Sequence, residues 1–197
     1  MLYAKDFRQA ARERLTGYWI TAVLCTLVYS ILVSALEATL VGMILLGGPL
    51  WYGFNTFWLA QVRWQRPGLG VLFEGLQRCF GNSIAVYLLQ GIFLFLWGLL
   101  LVVPGVVKSY SYALTPYILS DHPEMDAIEV IDLSRDMMTG NKWRLFCLDM
   151  SFFGWILLGI LTLGIGFIWL NPYMQCARAA FYEDVRAEYE EGTAANE

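Results

Sequence analysis

Four long runs of this chain contain no charged residue, and they constrain its fold more than any other feature. The runs cover residues 15–36, 38–62, 79–107 and 150–177. Each run is longer than the roughly 20 apolar residues that an α-helix needs to cross the hydrocarbon core of a bilayer. A soluble core of this size would not need four of them, so the sequence predicts an all-α integral membrane protein.

The composition agrees with a membrane protein and argues against other classes. Charged residues make up 15% of the 197 residues and hydrophobic residues 58%, whereas soluble domains carry about 25% charged residues. The net charge of −4 comes largely from an acidic tail and from residues 121–136, so nucleic acid is not an expected partner. The cysteines lack the paired spacing of a zinc site or of a disulfide framework. They are Cys25, Cys79, Cys147 and Cys176.

Turn signals divide the four runs into six predicted spans. The Pro104-Gly105 pair predicts a sharp hairpin near the end of the third run, followed by a shorter and more polar return helix. Gly164-Ile165-Gly166 divides the fourth run in the same way. The predicted spans cover about residues 18–36, 39–62, 79–104, 105–120, 145–162 and 164–182.

The distribution of Lys and Arg favours six spans over four. With six spans, 12 of the 13 Lys and Arg residues lie on one side and only Lys108 is left out. With four spans, the segment 108–149 would move to the other side, and the division would be 9 to 4. Because cytoplasmic loops are enriched in Lys and Arg, both termini are expected in the cytoplasm. The acidic segment from Glu183 onward is expected to be frayed or solvated there.

Each predicted hairpin follows a short amphipathic segment. In the first segment Phe7, Ala11 and Leu15 lie four residues apart, with charged residues on the other faces, which is typical of a helix on a membrane surface. The second segment covers residues 72–80 and the third 124–139. The predicted architecture is therefore a six-helix bundle of three helical hairpins, each preceded by an amphipathic interfacial helix.

Glycines recur at intervals that indicate a threefold internal repeat. Gly17, Gly81 and Gly140 precede the first span of each hairpin and are 64 and 59 residues apart. In the second and third units a turn glycine follows after 24 residues, at Gly105 and Gly164. The units cover about residues 1–62, 68–120 and 124–184 of a single membrane domain, 1–197, which ends in a polar acidic tail at 185–197.

When the three units are aligned, a polar residue lies nine positions after each of Gly17, Gly81 and Gly140. These residues are Thr26, Gln90 and Asp149, each within an apolar stretch. If the hairpins pack around a common axis, the three side chains form a layer that faces the bundle interior, where polar groups find partners. A chance match of three polar residues is the alternative interpretation.

Asp149 requires a partner, because an ionised carboxylate within a span is costly without one. Counted from a turn near residue 163, Asp149 lies 14 residues before the turn and Arg178 lies 15 residues after it. An antiparallel hairpin brings both to a similar depth. The sequence therefore predicts a structural ion pair between Asp149 and Arg178, with a proton-relay role for Asp149 as the alternative.

The return helix of the second hairpin is the most polar of the predicted spans. Its polar residues cover more than one face, which indicates either a polar cavity or hydrogen bonds between helices. They are Lys108, Ser109, Tyr110, Ser111, Tyr112 and Thr115.

The second half of the chain contains several distinctive motifs. They include Val103-Pro104-Gly105, Thr139-Gly140-Asn141-Lys142-Trp143, Trp169-Leu170-Asn171-Pro172-Tyr173 and Phe181-Tyr182-Glu183-Asp184. Together these motifs resemble a bacterial multi-pass membrane family, domain of unknown function 975, and the likeness is specific from Pro104 onward. The resemblance implies a protein of the bacterial cytoplasmic membrane but no established biochemical activity.

The sequence contains no catalytic motif, and no spacing in it predicts a metal or a cofactor. We expect a non-enzymatic protein that assists or assembles with another envelope component or interacts with lipids, its basic inner face engaging anionic lipids. The first alternative is a small transporter or permease with a polar path through the bundle, and the second is an intramembrane lipid-modifying enzyme. A polar cavity that reaches both faces would favour transport. Another membrane protein and a second copy of the chain stay open as partners.

Overall fold

The computed structural model describes residues 3–37, 39–100 and 102–194, which form helices and no strand. The predicted all-α class is confirmed. A short 3-10 helix covers Leu69–Phe73. The helices are α1 (Ala4–Leu15), α2 (Trp19–Glu37), α3 (Leu40–Val62), α4 (Glu74–Arg78), α5 (Phe80–Leu100), α6 (Val102–Ser111), α7 (Thr115–Asp121), α8 (Ala127–Met137), α9 (Lys142–Ser151), α10 (Phe153–Leu161) and α11 (Phe167–Ala194).

Three segments of the described chain are long and apolar enough to cross a membrane. They are Trp19–Glu37, Phe80–Leu99 and Lys142–Leu161, which correspond to α2, to nearly all of α5, and to α9 with α10. The remaining predicted spans coincide with α3, with α6 and α7 together, and with the first half of α11. Those helices are present, but by length and composition they are not among the three candidate spans.

Large apolar side chains are exposed mainly on α2, α5, α6 and α10, whereas the core surrounds α3 and α11. Leu163, in the turn between α10 and α11, is 95% exposed, and Leu99 near the end of α5 is 75% exposed. Contiguous exposed apolar surface of this kind is unfavourable in water and marks contact with a membrane or a partner. The ends of the hairpins are therefore suited to a hydrocarbon environment.

The second half of α3 forms the centre of the packed region. Trp58 is fully buried, and the ring of Phe54 stacks on Tyr29 of α2 with centroids 4.0 Å apart. A Cβ atom on Gly53 would lie only 2.2 Å from the carbonyl oxygen of Leu72, so this glycine allows the 3-10 helix to lie directly on α3. The core is thus built from aromatic stacking and close backbone approach.

The amphipathic helix predicted at the N-terminus is present, but protein covers its apolar face. Phe7, Ala11 and Leu15 are buried in α1. The Phe7 ring packs edge-on against Phe181 of α11, and Cys176 Sγ lies 3.8 Å from the Ala11 carbonyl oxygen. An apolar stripe on a helix is buried equally well by a membrane or by another helix. In this fold α11 covers α1, and α8 likewise packs on α5 and α7.

Three of the five repeat glycines have the backbone conformation of a chain break. Gly17, Gly140 and Gly164 have φ values of +78°, +85° and +90°, in the left-handed region that favours glycine. Gly81 is the second residue of α5, where the predicted span begins, and Gly105 lies inside α6. The predicted turn at Gly105 is therefore wrong.

Pro104 and Gly105 begin a helix instead of forming the predicted turn. They lie in the first turn of α6, where proline is tolerated because the N–H groups of a first turn have no intrahelical partner. Residue 101, which separates α5 from α6, lies outside the described residues. The predicted return helix is also interrupted, because residues 112–114 separate α6 from α7.

The acidic segment from Glu183, predicted to be frayed or solvated, is helical as far as Ala194. Residues 195–197 lie outside the described residues. Glu183 pairs with Arg63 at 2.8 Å, and Arg144 of α9 pairs with the neighbouring aspartate. Because cations from other helices compensate these carboxylates, the tail extends α11 instead of dissolving into solvent.

Candidate functional site

A cavity of about 530 Å³ lies among α2, α3, α5, α6, α7, α9 and α11. Its volume is within the range of small-molecule pockets, about 300–1,000 Å³. Aromatic rings form much of the wall, and polar side chains line it from α2, α3, α5, α6, α9 and α11. The polar lining consists of Asn55, Gln90, Ser109, Tyr110, Tyr112, Asp149, Gln175 and Arg178, with Tyr29 of α2.

The predicted pair of Asp149 and Arg178 is present in the cavity wall. Arg178 Nη2 and Nε lie 2.9 and 3.1 Å from Asp149 Oδ1. The Tyr110 hydroxyl donates to Asp149 Oδ2 at 3.2 Å. The side chain of Asp149 is 16% exposed and that of Arg178 41%. The carboxylate thus has donors on both oxygens and a compensating charge, as a structural pair requires.

Gln90 lines the same cavity and has an unused acceptor. Its Nε2 donates to the Tyr112 carbonyl oxygen at 3.4 Å. Its Oε1 is buried and has no hydrogen-bond partner among the described residues. Leaving a buried acceptor unpaired costs about 1–3 kcal/mol. The cavity wall therefore contains an unpaired acceptor at Gln90.

Thr26, the third residue of the predicted polar layer, does not belong to this lining. It is buried, and its Oγ1 donates to the Ala22 carbonyl oxygen at 3.0 Å within α2. The structure therefore brings Gln90 and Asp149 to one cavity and leaves Thr26 apart. Tyr29, one turn further along α2, takes the place facing the cavity.

Half of the predicted polar helix faces the cavity. Ser109, Tyr110 and Tyr112 are among its lining residues. The Tyr110 ring also packs edge-on against Phe146 of α9, with centroids 6.1 Å apart. This contact and the hydrogen bond to Asp149 hold Tyr110 in the wall.

The remaining polar residues of that segment have other surroundings. Lys108 Nζ lies 4.8 Å from the ring centre of Trp97, a cation–π contact. Ser111 Oγ donates to the Val107 carbonyl oxygen at 3.2 Å within α6. Thr115 is fully buried in α7. The segment therefore combines a cavity-lining face with a packed face.

Sequence reasoning missed Asn55 and Gln175, which also line the cavity. Gln175 lies three residues before Arg178 on α11, so helical spacing places the two on one face. That spacing could have identified Gln175. Asn55 lies in the charge-free run of α3, which also holds other polar residues, and nothing in the sequence separates it from them.

Two buried aromatic side chains connect the cavity wall to Asp121. Tyr117 and Phe181 line the cavity and are 3% and 0% exposed. The Tyr117 ring stacks on Tyr182 with centroids 5.3 Å apart, and the Tyr182 hydroxyl donates to Asp121 Oδ2 at 2.8 Å. The stacked tyrosines therefore join the cavity wall to Asp121.

Asp121 is the centre of an ion cluster at the end of the bundle. Arg63 Nη1 and Nη2 donate to its two oxygens at 2.7 and 2.8 Å, and Arg186 Nη1 donates at 2.8 Å. Burial disfavours the charged form, but hydrogen bonds from Arg63 and Tyr182 and the charges of both arginines outweigh it and lower the pKa of Asp121. The ionised carboxylate ties α3, α7 and α11 together.

Comparison with known proteins supports the resemblance stated from the sequence. Residues 99–189 match the model of a family described as "Protein of unknown function (DUF975)". The match extends from the end of α5 into α11 and includes Tyr110, Asp149 and Arg178. Searches of the curated proteins and of the solved structures found no match.

Proposed function

We propose that this protein is a multi-pass protein of the bacterial cytoplasmic membrane that binds a lipid-like molecule between its hairpins and catalyses no reaction. Three candidate spans and the exposed apolar surfaces of α2, α5, α6 and α10 support membrane insertion. The family resemblance supports a bacterial source. An accessory role, in which the bound lipid or a second membrane protein is presented to another envelope component, follows from this proposal.

The proposed topology has six spans in three hairpins, with both termini in the cytoplasm. The distribution of Lys and Arg supports this orientation. A shared feature of the last two hairpins supports an internal repeat: Gly98 faces Gly105, and Gly159 faces Gly166, at the same separation of seven residues. Small residues at such positions let membrane helices approach closely.

The observation that carries the proposal is the polar cavity between the helices. Tyr117 and Phe181, which are buried, form part of its wall. It contains an internally compensated pair, Asp149 and Arg178, together with the unused acceptor of Gln90. These groups suit a guest that carries hydrogen-bond donors and acceptors. In a membrane, the polar headgroup of a lipid carries such donors and acceptors. The lipid's acyl chains can then lie along the exposed apolar surfaces of the hairpins.

The absence of catalysis is supported by how the charged groups are used. Both oxygens of Asp149 are engaged by Arg178 and Tyr110, so Asp149 is not free to accept a proton from a substrate. The cavity is equipped for binding and orientation.

The test is mass spectrometry of the lipids and proteins that co-purify with the chain in mild detergent. We expect enrichment of one lipid class over its share of the membrane. Gln90→Leu should reduce that enrichment about five-fold, the equivalent of about one hydrogen bond. Thr26→Val is the matched control, because Thr26 is outside the lining, and it should retain the lipid. Lipids in the proportions of the bulk membrane, or equal retention by Gln90→Leu, would contradict the proposal.

A transporter is the second candidate, and the stacked Tyr117 and Tyr182 favour it. This pair connects the cavity wall to the Asp121 cluster. A transporter would have to open it, so a cysteine at Asn55 should then react with polar thiol reagents from either side of the membrane. In a binding protein, the same cysteine should react from one side only.

A further inference from the structure

A second depression lies between the start of α2 and the hairpin of α10 and α11. It is a groove of about 350 Å³ whose walls are almost entirely apolar. Three tryptophans, Trp19, Trp155 and Trp169, line it together with Leu158. Tryptophan is enriched where membrane helices meet the headgroup region. The groove therefore has the composition of a site for an acyl chain that begins at the membrane interface.

A basic pocket of about 490 Å³ adjoins the apolar groove. Arg12, Trp155 and Tyr173 line both, so the pocket and the groove form one continuous depression. Lys5 and Arg8 of α1 add two further cations. One end of the depression is thus cationic and the other apolar.

Carboxylates of the described chain do not pair with these cations. Lys5, Arg8 and Arg12 have no ion pair within residues 3–37, 39–100 and 102–194. Arg14 and Arg66 also lack one there, whereas the other six arginines pair with carboxylates; they are Arg63, Arg78, Arg135, Arg144, Arg178 and Arg186.

The one carboxylate in the described lining of the basic pocket is Glu13, which accepts a hydrogen bond from Gln9 Nε2 at 3.0 Å. Three cations and one carboxylate leave two positive charges uncompensated.

Arg8 is held in place but is incompletely bonded. Its Nη1 donates to the Ser151 carbonyl oxygen at 3.4 Å, and its backbone carbonyl accepts a hydrogen bond from the Tyr173 hydroxyl at 3.0 Å. Its Nε is buried and has no partner in the part of the chain that the structure describes. Arginine presents several donors to phosphate oxygens in a fixed geometry. An anion in the pocket would compensate the positive charge of Arg8, which lines it.

We infer that the depression binds one phospholipid with a net negative headgroup, its phosphate at Arg8 and Arg12 and one acyl chain in the groove. Charge complementarity selects the headgroup, and the tryptophan-lined wall selects the chain. From Trp155 to Thr162, which also lines the groove, α10 rises about 10 Å, room for part of one acyl chain. This site rests on the proposed membrane insertion but is separate from the polar cavity, whose charges already compensate each other.

The test uses the full chain in nanodiscs that contain equal amounts of phosphatidylglycerol and phosphatidylcholine. Native mass spectrometry after release into detergent gives the ratio of the two lipids that remain bound. We expect one phosphatidylglycerol per chain in the wild type. The double variant Arg8→Gln/Arg12→Gln should lose about 30-fold in preference, the equivalent of about 2 kcal/mol for two interfacial arginines.

The matched control is Arg78→Gln/Arg135→Gln, which removes the same charge from two exposed surface pairs. It should keep the wild-type preference. Leu158→Trp, which fills the groove, should reduce retention of both lipids while leaving the basic pocket intact.

Equal binding of the two lipids by the wild type, or unchanged preference in the Arg8→Gln/Arg12→Gln variant, would overturn the site. Loss of preference in the control as well would also overturn it, because total charge would then suffice. Extraction of the wild type from membranes by carbonate would instead refute the proposed membrane insertion. These outcomes distinguish the two proposals.

Discussion

Asp149 of α9 and Arg178 of α11 form an ion pair in the cavity wall, with Arg178 Nη2 2.9 Å from Asp149 Oδ1. Asp149→Asn would leave the guanidinium without its counter-charge. Removing one member of a buried pair costs about 3–5 kcal/mol. Because the Arg178 side chain is 41% exposed, we expect a smaller loss in unfolding free energy, about 1–2 kcal/mol.

Thermal unfolding in detergent measures this loss. The double variant Asp149→Asn/Arg178→Gln should recover part of it, because no unpaired charge remains. A melting temperature of Asp149→Asn equal to that of the wild type would show that the pair is dispensable. If that variant also abolished a pH-dependent activity, the proton-relay interpretation would replace the structural one.

The Asp121 cluster predicts how stability depends on pH. The pKa of Asp121 is lower in the folded chain than the usual value of 3.8, because Arg63, Tyr182 and Arg186 stabilise the carboxylate more than burial disfavours it. The stabilisation is therefore fully present above about pH 4 and is lost as pH falls through the lower, folded pKa. We expect the melting temperature of the wild type to fall below pH 4 more steeply than that of Asp121→Asn.

The matched control for this experiment is Asp132→Asn. Asp132 pairs with Arg135 on the surface, where both side chains are about half exposed, and such pairs contribute little. The melting temperature of Asp132→Asn should equal that of the wild type at neutral and acid pH. If the melting temperatures of the wild type and of Asp121→Asn fell equally on acidification, the role assigned to the Asp121 cluster would be contradicted.

The hairpin glycines predict where a single methyl group is not tolerated. A Cβ atom on Gly166 would lie 2.9 Å from the Cα atom of Gly159, and one on Gly105 would lie 3.1 Å from that of Gly98. We expect Gly166→Ala to cost about 1–3 kcal/mol, because the facing segments must separate, and Gly105→Ala to cost less, because its neighbours need to shift by only a few tenths of an ångström. Thermal unfolding in detergent gives the comparison.

Gly91→Ala is the control for the glycine variants, because nothing lies within 4 Å of a Cβ atom there. Alanine also has the higher helix propensity, so this variant should gain up to about 1 kcal/mol. Equal stability of all three variants would mean that the close helix approach contributes nothing to the fold.

Parts of the site could be predicted from the sequence because the hairpin has a simple geometry. Counting residues from one turn places Asp149 opposite Arg178, and the structure has this pair. The same logic failed for Thr26, since a count along one helix does not fix how that helix is rotated against its neighbours. The rotation of α2 turns Tyr29, not Thr26, toward the cavity.

The fold departed from expectation where a local signal has two physical outcomes. Proline can end a helix or begin one, and Pro104 lies in the first turn of α6. An acidic segment can be solvated or compensated, and cations from α3 and α9 compensate the segment from Glu183. An apolar helix face can meet lipid or protein, and α1 meets α11. In each case a distant part of the chain determines the outcome.

The accessibility of a cysteine at Leu163 in intact cells tests the proposed membrane topology most directly. Leu163 lies in the turn between α10 and α11 and is 95% exposed. In the proposed topology this turn is on the outer side, so Leu163→Cys should react with a membrane-impermeant thiol reagent added outside. A cysteine at Glu190, also exposed, should react only after the cells are opened. Reaction of both cysteines from the same side would contradict a hairpin that crosses the membrane.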